Sequence, residues 1–462
     1  MNRIEKDSMG EMGVPQAALY GASTQRAVLN FPISGRRMPG GFIRGLGLVK
    51  GICATANEQL GKLSREKADW IRTAAEEVFR GELDDHFPVD VFQTGSGTSS
   101  NMNINEVIAN RASQLAGERI GSKKPVHPND DVNHGQSSND IIPTVLHVSV
   151  ATAIRDQLIP ALDQLANELE GKADSWKSIV KIGRTHLMDA TPMTLGQEFS
   201  GYAAQVRKAS ERARRGVRLL EELAIGGTAV GTGINCHPEF AGRVCALLAE
   251  KTGIPFREAE NHFEAQGGRD DCVEVAGIFS AIASSLSKVA NDIRLLGSGP
   301  RAGLGEIRLP STQPGSSIMP GKVNPVMCEM LVQVSMYTMG LSNTVVLCGR
   351  DGHFELNVTM PLIAYALHES VTCLANGSLT FARECVAGLE ADEEACLAWV
   401  NRSLMLVTAL NPYIGYDKAA AVAKQAFAEG KTLREVVLEN ALMDEKTLDE
   451  ALEPMKMTAP RG

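Results

Sequence analysis

A loop rich in proline and glycine, 309–325, carries two neighbouring serines, a lysine and an asparagine: Ser316, Ser317, Lys322 and Asn324. An ammonium group and several hydrogen-bond donors on one loop can bind an anion, and a flexible loop ahead of a helix can close over it. An ordinary surface loop rarely combines these side chains. The sequence therefore predicts a mobile lid over an anionic ligand.

Two glycine-rich segments do not predict a nucleotide site. Five residues rather than four separate Gly315 from Gly321, and Val323 stands where a phosphate-binding loop has Ser or Thr after its lysine. No predicted strand precedes the segment 226–233, as a dinucleotide-binding fold requires, so we interpret it as a tight backbone turn.

A second polar stretch, 94–103, places Ser96 and Thr98 just before a helix predicted to contain Ile104 and Val107. Hydroxyl groups and free N–H groups at a helix N-terminus favour a bound carboxylate. Simple helix capping would account for one or two of these polar residues but not for the whole run. The stretch is predicted to be an anion seat.

The third stretch, 127–140, contains two histidines and leads into Ser137, Ser138 and Asn139. A metal site is the alternative interpretation, but the histidines lie seven residues apart and no His-Glu-x-x-His pattern occurs. We therefore expect no metal here, and expect the two serines and the asparagine to be neutral hydrogen-bonding groups that open a helix.

The fourth stretch, 183–198, holds Thr185 and His186 ahead of a helix that Pro192 is expected to initiate. A single histidine is more often structural than catalytic. Its position in an unusual polar turn favours a role in moving protons near neutral pH.

Apolar residues repeat at intervals of three and four in the segments that must position these stretches. Such repeats, sustained for about six turns, are typical of helices in a bundle. Pro160 is expected to kink the first segment, and helices are also predicted at 417–429 and 432–440. Because no strand pattern has comparable strength, the predicted fold class is all-α. The five long segments are 146–169, 199–220, 275–296, 327–345 and 363–385.

The helix around 275–296 also has a second face of small residues, with Ala276, Ala283, Ala290 and Gly297 spaced by seven. A helix buried on two sides suggests that other subunits complete the bundle. The alternative is that the same chain covers this face. We divide the chain into an N-terminal domain, 1–138, a central helical-bundle domain, 139–394, and a small C-terminal helical domain, 395–462.

Composition limits the possible partners and the location. The net charge of −9 and the pI near 5.6 argue against nucleic acid. Nine scattered cysteines without a Cys-x-x-Cys pair indicate a reduced protein. The charged N-terminus is unlike a signal peptide and no uninterrupted apolar run of 18 residues occurs, so no membrane partner and a cytoplasmic location are expected.

At the four polar stretches the sequence resembles the fumarase/aspartase superfamily, and within it the class II fumarases. The loop 315–324, Gly-Ser-Ser-Ile-Met-Pro-Gly-Lys-Val-Asn, is similar to the superfamily's defining motif, and the resemblance extends from Glu5 to Lys418. His134 and Gly135 depart from the usual fumarase pattern. The resemblance implies a homotetramer with a twenty-helix core, active sites shared by three subunits, and no metal or cofactor.

The resemblance also assigns roles to residues. Ser316 resembles the serine that removes the C3 proton of malate, and His186, with Glu329 as its charge partner, resembles the histidine of the hydration step. The segment His127, Pro128, Asn129 and Asp130 resembles a second dicarboxylate site. The expected substrate contacts are Ser96, Thr98, Ser137, Ser138, Asn139, Thr185, Ser317, Lys322 and Asn324.

These roles imply a lyase of the tricarboxylic acid cycle that reversibly hydrates fumarate to L-malate, by anti addition through an aci-carboxylate carbanion. The first alternative is an aspartate ammonia-lyase, which shares the fold and loop but expels ammonia. Gly321 before the lysine and His186 after Thr185 favour the hydratase. A second alternative, a non-catalytic structural protein on this scaffold, is disfavoured because the polar motif positions are intact.

Overall fold

Helices dominate the computed structural model, which describes residues 2–460. The chain is 62% helical, against about 30–35% for an ordinary globular protein. The all-α prediction is therefore confirmed.

Each of the five long predicted segments is helical, and so are the two shorter C-terminal ones. The helices are α1 (Ala22–Asn30), α2 (Gly40–Gln59), α3 (Arg65–Phe79), α4 (Thr98–Leu115), α5 (Ser138–Ala153), α6 (Ile159–Ser175), α7 (Leu195–Leu219), α8 (Phe240–Thr252), α9 (His262–Gly267), α10 (Asp270–Leu296), α11 (Val326–Arg350), α12 (Met360–Glu384), α13 (Glu393–Arg402), α14 (Asn411–Ile414), α15 (Tyr416–Glu429), α16 (Leu433–Glu439) and α17 (Glu445–Ala451).

The first predicted segment is interrupted rather than continuous. A wider, π-type turn covers Ile154–Leu158 between α5 and α6, and Pro160 is the second residue of α6. Proline lacks an N–H group and its ring crowds the carbonyl four residues back, so a local change of hydrogen-bonding pattern is expected there. The kink expected at Pro160 stays a prediction.

The strands form small two-stranded sheets between the helices. Antiparallel pairs join β1 to β2, β3 to β4, β7 to β10 and β8 to β9, whereas β5 and β6 are parallel. The strands are β1 (Asn2–Asp7), β2 (Gly10–Pro15), β3 (Val180–Thr185), β4 (Met188–Thr194), β5 (Glu222–Leu223), β6 (Arg257–Glu258), β7 (Ile307–Arg308), β8 (Gly352–His353), β9 (Leu356–Asn357) and β10 (Glu390–Ala391).

The chain divides into two compact units. The first comprises the residues up to Pro160 with Ser210–Ala283 and Val334–Ala375, and the second comprises Ala161–Ala209, Ser284–Gln333 and the chain from Asn376 onwards. Within the second unit, side chains of the C-terminal helices, such as Val436 and Leu448, pack with Ile182 of β3 in one apolar cluster. The three-domain division of the sequence stays a prediction.

Helix α10 is buried on both of its apolar faces within the single chain. Ala276, Ala283 and Ala290 are 0% exposed, as are the larger residues of the first face such as Phe279 and Leu286. Burial on two sides is confirmed, but the chain itself covers the second face. The argument from this face to neighbouring subunits is therefore wrong, and the alternative interpretation holds.

Helices α10 and α11 are long and apolar enough to cross a membrane by length and hydropathy alone. Their most apolar windows have mean hydropathies of 1.4 and 1.3, and 44% and 39% of those windows are buried inside the protein. Core helices of bundles pass the same test, so this property is weak evidence for a membrane.

Two buried histidines make stability depend on pH. His147 and His368 bond to the Glu222 carbonyl oxygen at 2.9 Å and the Ser149 hydroxyl at 2.8 Å. Burial lowers the pKa of His147 to about 3 and that of His368 to about 4, from 6.5. As pH falls below 6.5, the unfolded chain therefore takes up protons that the folded chain does not.

We expect the free energy of unfolding to fall between pH 6.5 and pH 4, by up to about 1.4 kcal/mol per pH unit for each histidine. The His368→Gln variant should show a shallower fall, measured by urea unfolding across this range. His353→Gln, at an exposed position, is the control. An unchanged slope in His368→Gln would contradict the assignment.

Candidate active site

A chain of hydroxyl groups links the start of α4 to the start of α5 in the first unit. Thr98 Oγ1 lies 2.8 Å from Ser96 Oγ and 2.7 Å from Ser138 Oγ. Thr98 and Ser138 are the first residues of their helices, where N–H groups lack intrahelical acceptors. Two of the polar stretches, 40 residues apart in sequence, thus meet at one place rich in hydrogen-bond donors.

Two glycines allow this approach. Gly97 caps α4 with φ +73°, and a Cβ there would lie 2.8 Å from the Ile142 side chain of α5. A Cβ on Gly95 would lie 1.7 Å from the Val358 carbonyl oxygen. Any larger residue would push α4 away from its neighbours.

A buried carboxylate fixes the start of α5 at this junction of two helix starts. Asp140 is 0% exposed and accepts hydrogen bonds from the backbone N–H groups of Ser137 at 2.8 Å and of Gly226 and Thr228 at 3.0 Å each. Burial raises the pKa of Asp140, and these donors act in the opposite direction. The segment 226–233 is a turn, as predicted, and its role is to anchor α5. Asn139 donates to the Ala229 carbonyl oxygen at 2.8 Å.

A buried lysine that contacts the turn before α5 was not predicted from the sequence. Lys50 of α2 is 0% exposed, and burial lowers its pKa to about 7. The signal was present, because Lys50 stands on the same helix face as Leu46, Cys53 and Asn57, all buried. A charged residue in such a row needs a polar partner, which only the folded chain identifies.

The loop 309–325, predicted to be a lid, belongs to the second unit, and hydrogen bonds join the two ends of its central part. The Gly315 N–H donates to the Lys322 carbonyl oxygen at 2.9 Å, and Asn324 Nδ2 donates to the Gly315 carbonyl oxygen at 2.6 Å. At the tip, Ser316 Oγ accepts from the N–H groups of Ile318 at 3.2 Å and Met319 at 3.0 Å. Ser317 and Lys322 are exposed.

His186 lies in a hairpin turn rather than ahead of a helix begun by Pro192. Thr185 pairs with Met188, so His186 and Leu187 are the two turn residues, with φ +57° and +63°. Pro192 lies within β4, and α7 begins only at Leu195. Helix initiation at Pro192 is thus wrong. The helix begins after Thr194 because Thr194 and Gln197 form a reciprocal cap. The Gln197 N–H donates to Thr194 Oγ1 at 3.0 Å, and the Thr194 N–H donates to Gln197 Oε1 at 2.9 Å.

The base of this hairpin is held by a buried ion network. Lys181, 1% exposed, pairs with Glu198 at 2.6 Å and with Glu306 at 3.0 Å, and Arg184 pairs with Glu306 at 2.8 Å. Breaking a buried pair by removing one partner leaves a costly uncompensated charge. The hairpin that presents His186 therefore has a rigid base and an exposed tip.

Within the described residues, no hydrogen bond or ion pair joins His186 to Glu329 in the single chain. Both side chains are exposed, and Glu329 lies in the first turn of α11. The charge pair implied by the resemblance stays a prediction.

The segment around His127 lies against a cavity of about 600 Å³. His127 Nδ1 accepts from the N–H groups of Asn129 and Asp130 at 3.3 and 3.1 Å. Lys67 holds the following Asp131 carboxylate at 2.9 Å. Pro128 and Asn129 line the cavity with Lys123. Over residues 2–460 no cluster of three or more His, Cys, Asp or Glu side chains has the arrangement of a metal site.

Two family models match the chain, one described as "Lyase" over residues 10–340 and one as "Fumarase C C-terminus" over residues 406–459. The chain belongs to the fumarase family. The class II fumarate hydratase of Thermosynechococcus vestitus is 50% identical over 460 residues, which cover 100% of this chain and 98% of the relative. That of Halobacterium salinarum is 54% identical, over 99% of this chain and 97% of the relative.

Solved fumarase-family structures have the same fold. Class II fumarase from Schistosoma mansoni aligns with a TM-score of 0.97 at 41% identity, and both chains are covered completely. Fumarate lyase:delta crystallin from Brucella melitensis aligns with a TM-score of 0.96 at 43% identity, again over both whole chains.

Gly97→Ala should lower the free energy of unfolding by at least about 1–2 kcal/mol, because alanine at positive φ is strained and its Cβ would collide with Ile142. Urea unfolding measures the change. Gly171→Ala in α6, where a Cβ meets nothing within 4 Å, is the matched control and should be neutral or stabilising. Equal stability of the two variants would show that the close approach at Gly97 is not required.

Proposed function

We propose that this chain is a fumarate hydratase that interconverts fumarate and L-malate by anti addition and elimination of water through an aci-carboxylate carbanion. Identity near 50% to class II fumarate hydratases along the whole chain carries this conclusion. The polar residues of all four motif stretches are present to perform the chemistry.

The difficult step is removal of the proton next to a carboxylate, because the electron pair adds a second negative charge to that carboxylate. An enzyme accelerates this step when fixed donors bind the carbanion more strongly than the substrate. We assign one carboxylate site to Ser96, Thr98, Ser137, Ser138 and Asn139. Its support is the hydroxyl chain at two helix N-termini, where peptide dipoles also favour negative charge.

Ser316 is the proposed base, although a free serine hydroxyl is far too weak for this task. Two backbone N–H groups already point at Ser316 Oγ. Donors aimed at an oxygen stabilise its deprotonated form and lower its pKa. The ammonium of Lys322 on the same loop adds positive charge, so both features support activation of Ser316.

Lys322, Asn324, Ser317 and Thr185 are the proposed contacts to the other parts of the substrate. Asn324 uses one amide hydrogen to close the loop base, which leaves its second amide hydrogen for a carboxylate oxygen. Lys322 is exposed in the single chain, so its three ammonium hydrogens can reach a bound ligand.

His186, paired with Glu329, is proposed to carry the proton that the departing hydroxyl group requires. General acid–base help of this kind contributes about 10²–10⁴-fold. Because the two side chains are not joined in one chain, we propose that partners for His186 come from neighbouring subunits.

We propose a homotetramer with a twenty-helix core, in which three subunits contribute to each active site. Exposed apolar side chains in α11 support an interface, since Met336 is 66%, Tyr337 44% and Leu347 49% exposed. Leu187 beside His186 and Ile318 beside Ser316 are also exposed, at 75% and 83%. Single scattered apolar residues are normal at surfaces, but a helix with several of them indicates a covered face.

The small dicarboxylate is the proposed substrate, and a second dicarboxylate site at His127, Pro128, Asn129 and Asp130 is also proposed. The resemblance of this segment supports the second site, and the segment lies beside a cavity large enough for a small ligand. Both basic and acidic side chains line that cavity: Lys6, Lys123, Glu5, Asp7 and Glu106. We further propose a cytoplasmic enzyme of the tricarboxylic acid cycle that has no nucleic-acid or membrane partner.

The hydratase and the ammonia-lyase alternative differ in one assay. The purified protein should produce fumarate, followed by its ultraviolet absorbance, from L-malate and not from L-aspartate. Fumarate formed from aspartate alone would replace the proposed activity with that of the ammonia-lyase.

Ser316→Ala should reduce kcat by at least about 10²–10⁴-fold while the oligomer forms normally, because only the base is removed. Steady-state kinetics and size-exclusion chromatography measure the two properties. Ser175→Ala, which removes an exposed hydroxyl bonded to the Gly171 carbonyl oxygen, is the matched control. Near-normal turnover in Ser316→Ala would remove this residue from its role.

A further inference from the structure

Lys50 is a fully buried lysine that bonds only to neutral groups. Its Nζ donates to Asn133 Oδ1 and to Gln136 Oε1, each at 2.9 Å. Among residues 2–460, no ion pair joins a carboxylate to this ammonium, and Asp140 acts on it only at longer range. Burying a charge without a contacting counter-charge is costly, so the chain retains it against a considerable penalty.

The two amides that bind Lys50 belong to the turn that leads into α5. Asn133 Nδ2 donates to the Gln136 carbonyl oxygen at 3.0 Å, and Gln136 Nε2 donates to the Val132 and His134 carbonyl oxygens at 3.2 and 3.1 Å. Lys50 therefore fixes the conformation of this turn. Ser138, which carries part of the hydroxyl chain, follows Gln136 by two residues.

The same network reaches α4. Asn101 Nδ2 donates to Asn133 Oδ1 at 3.2 Å, so one amide oxygen receives both the ammonium of α2 and the amide of α4. Asn101 lies three residues after Thr98, about one helical turn. A second residue of α2, Asn57, bonds to the His134 carbonyl oxygen at 3.1 Å. The contacts tie both hydroxyl-bearing helix starts to α2.

We propose that Lys50 is a positioning residue for the substrate carboxylate. Acting through Asn133 and Gln136, it holds the starts of α4 and α5 at the separation that joins Thr98 to Ser138, and it leaves positive charge behind that seat. This inference rests on the proposed function and adds a residue that does not touch the substrate.

Charge and position act together here. Burial lowers the pKa of Lys50 to about 7. A dianionic substrate brings negative charge to the two helix N-termini and so favours the protonated form of Lys50, whose ammonium then attracts the dianion through an interior of low dielectric constant. The neutral amides of Asn133 and Gln136 link Lys50 to the starts of α4 and α5 without neutralising its charge. A carboxylate in place of Asn133 would neutralise the lysine and would lose the hydrogen bond that Asn133 Nδ2 donates to the Gln136 carbonyl oxygen.

Lys50→Met tests the proposal, because it keeps the length of the side chain and removes the ammonium. We expect kcat/KM for L-malate and fumarate to fall about 10²-fold, as for a small misplacement of substrate-binding groups. The loss should lie mainly in KM, and the inhibition constant of succinate, a saturated four-carbon dicarboxylate, should rise in parallel. A purely structural lysine would change thermal stability without this selective weakening of dicarboxylate binding.

Lys172→Met is the matched control. The Lys172 ammonium also donates to two neutral oxygens, the carbonyls of Ala387 at 2.9 Å and Leu389 at 2.8 Å. Lys172→Met should leave KM and the inhibition constant of succinate unchanged.

Asn133→Asp keeps the test decisive if Lys50→Met does not fold. This variant keeps the size of the side chain and gives Lys50 a carboxylate partner, and it loses the hydrogen bond from Asn133 Nδ2 to the Gln136 carbonyl oxygen. Both changes act on the network through which Lys50 positions the substrate, so KM and the inhibition constant of succinate should again rise. Two results would overturn the proposal. One is a folded Lys50→Met variant with the wild-type KM and inhibition constant of succinate; the other is an unfolded Lys50→Met variant together with an Asn133→Asp variant in which both constants are unchanged. Failure of the proposed function is a separate result, since the wild-type protein would then form no fumarate from malate.

Discussion

The hydrogen bond between Thr98 and Ser138, 2.7 Å long, brings two helix starts to one place. Each start contributes backbone N–H groups that lack intrahelical acceptors and the positive end of a peptide dipole. The helices can come this close because Gly97 has no side chain that would collide with Ile142. The hydrogen bonds of Asp140 hold the start of α5, and those of Lys50 and Asn101 to Asn133 connect it to α2 and α4.

An acidic protein that binds a dianion must concentrate positive potential locally, because its net charge of −9 repels such a ligand. Under the residue assignments proposed above, the two units meet this requirement in different ways. The first uses helix starts with Lys50 buried beneath them. The second places Lys322 on an exposed loop and keeps its buried charges, such as Lys181 and Glu306, paired beneath the hairpin.

Features that depend on local sequence were predictable. The periodic apolar residues gave the long helices, and polar residues ahead of Ile104 and Leu146 marked the starts of α4 and α5. Features that depend on a distant partner were not. Pro192 favours a helix start locally, but pairing of β4 with β3 places it in a strand. Likewise, the small face of α10 could be assigned to this chain or to a neighbour only once the burial of Ala283 was known. The pairs that complete the site across subunits stay predictions for the same reason.

The turn at His186 and Leu187 has left-handed backbone angles at two consecutive residues that are not glycine. Such a conformation costs on the order of 1–3 kcal/mol per residue and persists only where surrounding structure imposes it. In the described chain no hydrogen bond orients the imidazole, so the backbone fixes the direction of the Cα–Cβ bond and leaves the side-chain torsions of His186 free. The backbone part of the ordering entropy at this position is therefore lost during folding, and only the side-chain torsions remain to be fixed when a partner or ligand contacts the ring.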